Sequence, residues 1–289
     1  MRNLPFRVFQ SAAPAFLTGP AIALPATVAL ALLLAGSPSL AAPCVLSAKA
    51  ESVRVERALD GDTAALADGR TLRLAGILAP KAPLGTREAD WPPADAAATT
   101  LRALVADRPF VLRAALASPD RHGRIVGYLA AEGAADPAGL SAELLARGVA
   151  RAAADRAGRD CRATLLAAED GARRASLGLW TNTYYEVRDA ADGDAFAGSV
   201  GRFEIAEGRV ASVRTVNGRL YVNFGRRWRD ALALVLSEAA AKRLGGAEAL
   251  GLSPGARLRV RGMIERRLGP TIAVTEAAQI EKLGLAGAR

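Results

Sequence analysis

The sequence predicts a mainly β (α+β) protein built as two small five-stranded barrels in tandem, the first carrying extra helices. Three observations lead there. Short alternating strand patterns punctuated by Gly and Asp turns occur in the first and last thirds of the mature chain, helical signals dominate between them, and 289 residues suffice for about two domains. With 51% apolar and 23% charged residues, the composition excludes a disordered tail or a fibrous repeat.

The first segment is expected to be an export signal rather than part of the fold. Arg2 and Arg7 form a positive start, Ala21 to Ala35 an apolar run, and Ser39-Leu40-Ala41 a small-residue cleavage site, with cleavage after Ala41 or Ala42. The run is too short and too Pro-interrupted to span a membrane, so no transmembrane segment is expected after cleavage, and the location is periplasmic or secreted. Export to an oxidising compartment makes a Cys44–Cys161 disulfide the expected state of the two cysteines. Two cysteines and the single His122 cannot form a structural zinc site.

From Ser52 to Leu74 the pattern is a three-stranded meander. Its strands are 53–56, 63–66 and 71–74, separated by turns at Asp60-Gly61-Asp62 and Asp68-Gly69. A Pro-rich loop between Pro80 and Pro93 is followed by a helix from Asp95 to Ala106, then by strands Phe110–Leu116 and Ile125–Ala130 flanking Asp120-Arg121-His122-Gly123. Helices Leu140–Arg147 and Cys161–Leu177 each end at a glycine, Gly148 and Gly178, and the Asp-rich stretch 188–199 is expected to be a linker. In the final ninety residues the order is strand 202–215, an Asn217-Gly218 turn, strands 220–224 and 231–236, helix 238–244, and strands 257–264 and 271–274. Three strands, a helix and two strands is the order of the OB-fold barrel, and the first unit repeats it before its extra helices. The expected organisation is therefore signal 1–41, first domain 44–187, linker 188–199 and a C-terminal OB-like module 200–285.

Four motifs carry a resemblance. Asp60-Gly61-Asp62-Thr63, Arg73-Leu74-Ala75-Gly76-Ile77 with Pro80, Asp120-Arg121-His122-Gly123-Arg124 and Gly178-Leu179-Trp180 stand in the order and spacing of the staphylococcal-nuclease-like (thermonuclease) family. From about Ser52 to Trp180 the chain resembles that family, which implies an exported OB-fold hydrolysing nucleic-acid phosphodiesters with one calcium ion. The resemblance assigns Arg73 and Arg124 as the catalytic, phosphate-clamping arginines and Asp62, with Asp60 beside it, as calcium ligands. Permanently charged, bidentate guanidinium groups suit a doubly anionic transition state, and carboxylates suit a hard cation.

The chain departs from the family after Ile77. Leu78 and Lys81 stand where the family has a metal-binding Asp and a general-base Glu, and Ala154 and Arg156 fall at the places of its nucleotide-stacking tyrosines. Leucine cannot ligate calcium, and lysine cannot deprotonate water at neutral pH without strong desolvation. Two readings follow. Either Glu88 or Asp90 from the Pro-rich loop replaces the missing acids, or Lys81 joins Arg73, Arg121, His122 and Arg124 in a metal-free phosphate site.

Net charge is unevenly divided. The signal carries +2, residues 42–199 carry −1 and residues 200–289 carry +8. The basic module interleaves aromatics with arginines at Tyr221, Phe224, Arg226, Arg227, Trp228 and Arg229, a pattern suited to stacking bases and meeting phosphates. Three function classes remain: a nuclease, a catalytically silent binder of nucleic acid or another polyanion, and an envelope protein that docks on a protein partner.

Overall fold

The computed structural model describes residues 44–87, 90–106 and 108–284. The proposed signal 1–41 and the candidate acid Glu88 lie outside the described residues.

The first sheet is a closed barrel. Its strands are β1 (Glu51–Ala58), β2 (Thr63–Leu66), β3 (Thr71–Leu74), β5 (Pro109–Ala114) and β6 (Ile125–Ala131), ordered β1-β2-β3-β6-β5, with β3 and β6 parallel. Leu66, Leu72, Leu74, Phe110 and Leu129 fill it, so alternate strand residues face inward as the sequence pattern requires. A two-residue strand β4 (Ile77–Leu78) leaves the barrel and pairs with β7 (Arg151–Ala152). Helices α1 (Pro92–Val105), α2 (Gly139–Ala146) and α3 (Arg162–Arg174) cover the barrel. The α1 helix begins with Pro92-Pro93, three residues before the sequence expectation, because proline is well tolerated in a first turn. Cys44 and Cys161 are bridged with their Cα atoms 4.4 Å apart, which fastens the segment before β1 to the start of α3.

The linker expected at 188–199 is instead part of the second sheet. Strand β8 (Arg188–Asp189) pairs in parallel with β9 (Phe203–Arg209), and Ala190, Phe196 and Ser199 are buried. The remaining elements are β10 (Ser212–Val216), β11 (Arg219–Asn223), β12 (Ala233–Ser237), α4 (Glu238–Arg243), α5 (Gly246–Ala249), β13 (Arg257–Arg266), β14 (Pro270–Ala273) and β15 (Ile280–Lys282). Sheet order is β10-β11-β12-β14-β13-β9-β8, with β15 on β13 and β12 parallel to β14. Only Val210 and Ala211 separate β9 from β10, so with these two strands taken together the strand order follows the connectivity of the first barrel. Val222, Leu234, Leu236, Leu258, Val260 and Ile272 form its core, and Phe224 joins them, which removes it from the expected binding surface. Among the described residues no helix is long and apolar enough to cross a membrane.

A buried ionic network fastens the two barrels. Arg261 on β13 is fully buried and donates to Glu169 on α3 at 2.7 Å, to the Ala152 carbonyl at 3.2 Å and to Glu281 on β15. Glu169 in turn accepts the Ala152 N–H at 2.7 Å. Nearby Arg259 reaches Asp170 on α3 at 2.8 Å and Glu207 on β9 at 2.7 Å. Removing one partner of such a set strands desolvated charge, so Arg261→Met should lower unfolding stability by about 3–5 kcal/mol. Urea denaturation checks this; a midpoint unchanged from that of the parent chain would mean that the network contributes nothing to cohesion.

Candidate functional site

The turn between β1 and β2 builds the site. Asp60 Oδ1 accepts the Asp62 N–H at 2.8 Å, closing a local turn around Gly61. A Cβ on Gly61 would lie 2.5 Å from the Ala97 methyl on α1 and 2.7 Å from that of Ala79, so glycine alone lets the three segments meet. The following residue, Thr63, pairs with Arg73 across the sheet.

Asp62 is buried, and its oxygens are already engaged. Oδ2 accepts the Ala79 N–H at 2.9 Å, and Oδ1 accepts from the Thr63 hydroxyl at 3.1 Å and from Lys81 Nζ at 3.4 Å. The same ammonium lies 2.7 Å from Asp60 Oδ2. Burial pushes the Asp62 carboxyl above its ordinary range despite Lys81. For Asp60 burial acts upward too, but the hydrogen bond from Lys81 and the Asp62 N–H outweigh it and hold the group below its ordinary value. One lysine thus bridges two carboxylates of unequal basicity.

This donor set does not fit calcium. A calcium ion requires six to eight oxygens, whereas Leu78 contributes none from its side chain and the ammonium of Lys81 occupies the shared face of Asp60 and Asp62. Among the described residues no group of three or more His, Cys, Asp or Glu is placed to hold a metal. Asp90 supplies no replacement acid, because both its oxygens are engaged by Arg87 at 2.6 and 2.8 Å within the loop.

The remaining cations are dispersed rather than converged. Arg73 donates to the Ile77 carbonyl at 3.5 Å and lies 3.9 Å from Asp155. Arg124 is held by Asp120 through Nε at 2.9 Å and Nη2 at 2.8 Å. Burial raises the Asp120 carboxyl, but its hydrogen bonds from Arg124 and the His122 N–H prevail and bring it down to about 2. Arg124 immediately precedes β6, whose Val126 stands opposite Arg73 in the parallel β3–β6 pair. Exposed Arg121 and His122 contact each other at 3.1 Å in the turn. Lys81 does not join these groups, contrary to the metal-free phosphate site expected from sequence, since its ammonium is claimed by Asp60 and Asp62.

Two features beside the site were not anticipated. Arg151, opposite Leu78 in the β4–β7 pair, is buried with its guanidinium 5.0 Å from the Tyr185 ring and 5.1 Å from that of Phe203. Trp91, at the exit of the Pro-rich loop, donates to the Tyr185 hydroxyl at 2.9 Å and meets Tyr184 edge-on at 5.1 Å. The Trp-Pro-Pro tripeptide and the Tyr-Tyr dipeptide were the available signals, but nothing local joins residues so far apart in the chain.

In the second barrel, Tyr221 is half-buried and Arg226, Arg227, Trp228 and Arg229 are exposed. Residues 71–182 match the family model described as staphylococcal nuclease homologue. No curated protein matches the chain. The ionic arrangement makes a direct prediction. Lys81→Glu removes the ammonium and adds a third carboxylate, so it should create terbium or calcium binding in the range of about 10⁻⁴ to 10⁻³ M where the parent chain has none. Terbium luminescence checks this, and equal binding by both proteins would refute the assignment of Lys81 as the occupant.

Proposed function

We propose, on the premise that residues 71–182 belong to the staphylococcal nuclease family, that this protein retains the family's fold as an exported polyanion binder and has lost calcium-dependent hydrolysis. The nuclease-like ancestry rests on the family match. The observation that carries the loss is Lys81 Nζ at 2.7 Å from Asp60 and 3.4 Å from Asp62. Hydrolysis needs a base for water and concentrated positive charge at the developing pentacovalent phosphate. Here Lys81 cannot take a proton, and both Asp62 oxygens are already acceptors.

Binding of an anion does not need that base. Arg73 on β3 and Arg124 just before β6 supply guanidinium groups, though each must exchange its present carboxylate neighbour for a phosphate. The larger attraction comes from the C-terminal module: with the β8 segment included, residues 188–289 carry +6 against +1 for residues 42–187. Nucleic acid is the polyanion we favour. The bridged Cys44–Cys161 pair suits the periplasmic or secreted location proposed from the signal.

Incubation of the mature chain with single-stranded DNA, in calcium and in chelator, tests the reading. The strand should stay intact in both, while binding falls as salt rises. Replacing Arg226, Arg227 and Arg229 with glutamine should reduce the magnitude of the log–log salt slope by about 2, at roughly 0.7 per phosphate contact on a single strand. Calcium-dependent cleavage would overturn the loss of hydrolysis, and an absence of binding at low salt would favour a protein-docking role.

A further inference from the structure

An open groove on the second barrel has the chemistry to hold unpaired bases. Along β11, Leu220 and Val222 point into the core, which turns Tyr221 to the outer face. There Tyr221 lies opposite Arg214 on β10 and Val235 on β12, giving a floor that is aromatic and aliphatic with a guanidinium at its side. Trp228 forms one wall and Leu268 another, and the space between is about 490 Å³. These walls are held at close quarters. A Cβ on Gly269 would lie 2.8 Å from the Trp228 carbonyl oxygen and 2.9 Å from that of Arg229, so the two loops touch through backbone.

Exposure of the apolar lining is unusual for a surface with nothing on it. Trp228 is 42% exposed, Val216 50% and Leu268 66%, and all three line this one groove. Its charge is one-sided as well. Arg214 and Arg267 line it, the Arg229 guanidinium stacks 5.0 Å from the Trp228 ring, and no carboxylate is among the lining residues. Arg267 pairs with Glu265 at 3.3 Å, whereas Arg214, Arg226 and Arg229 form no ion pair with any carboxylate among the described residues.

We propose that this groove binds single-stranded nucleic acid, with bases stacked on Trp228 and Tyr221 and phosphates held by Arg214, Arg229 and Arg267. The inference rests on the polyanion-binding reading and adds a base-dependent site to it. Stacking on an aromatic floor requires bases released from a duplex, and it tolerates any sequence because every base has a π-face. Apolar walls alone would suit a lipid surface or a protein helix equally; the one-sided arginine rim is what selects an anionic strand.

Fluorescence anisotropy of the full mature chain with a labelled oligothymidylate of about 12 nucleotides provides the test. Trp228→Ala should weaken binding about 5- to 100-fold and Tyr221→Ala should do the same, while Trp228→Phe keeps affinity within about 3-fold of the parent. An abasic strand of equal length should bind the parent and Trp228→Ala alike. Equal oligothymidylate affinity in the parent and both alanine variants would overturn the groove assignment while leaving polyanion binding intact. Loss of anionic-vesicle binding in Trp228→Ala without loss of oligothymidylate binding would reassign the groove to a lipid surface. No binding of any polyanion at low salt would overturn both readings.

Discussion

A carboxylate removed from water must be fully partnered, and that requirement at Asp62 organises the candidate site. Its side chain ties three segments together: the turn before β2 through Thr63, the strand exit through the Ala79 N–H, and the Pro-rich loop through Lys81. Gly61 permits the approach, since any side chain there would collide with α1. In this chain the positive charge facing Asp60 and Asp62 is therefore a covalent part of the protein. A lysine gives one charge and three directed N–H donors, whereas calcium would give two charges and demand several more oxygens. With an ammonium at position 81, Asp60, Asp62 and Lys81 form a satisfied ion triplet.

The second constraint is the union of the barrels. Arg259 and Arg261 meet acids from α3, β9 and β15, so the order of the modules is written in buried charge rather than in a flexible connector. Buried ion pairs of this kind add little net stability, but loss of any one partner leaves the others as unpaired buried charge. Their consequence for function is positional. A nearly neutral barrel carrying Arg73 and Arg124 is joined through buried ion pairs to a strongly basic module carrying an aromatic groove.

Much of the fold was legible in the sequence because local signals agreed with one another. Asp-Gly and Asn-Gly turns fixed the hairpins, alternation fixed the inward faces, and the repeated strand order pointed to two barrels of the same connectivity. The disulfide followed from two cysteines and an expected oxidising compartment. Errors arose where polar composition concealed packing. The Asp-rich stretch 188–199 looked solvated, yet Ala190 and Phe196 anchor it in the second core. Phe224 sat in an arginine-rich run, but strand alternation placed it inward with Leu220 and Val222. One of the two readings open from sequence makes Lys81 a phosphate-binding cation, because sequence gives charge without partners; only the folded turn brings Asp60 to its Nζ. Arg151, Glu169 and Arg261 could not be found at all, since their meaning lies in contacts across the two barrels.

In the proposed reading the Lys81 ammonium holds the place of a divalent cation, and its own resonance reports its surroundings most directly. The chain has four lysines, Lys49, Lys81, Lys242 and Lys282, so a side-chain ammonium ¹⁵N spectrum can be assigned by substitution. One ammonium signal, lost in Lys81→Met, should show proton exchange slowed by its two carboxylate partners and should not move as calcium rises to about 10 mM, above the weakest protein calcium sites. A saturable shift of that signal toward the position of a solvated lysine, as calcium displaces the ammonium, would contradict it.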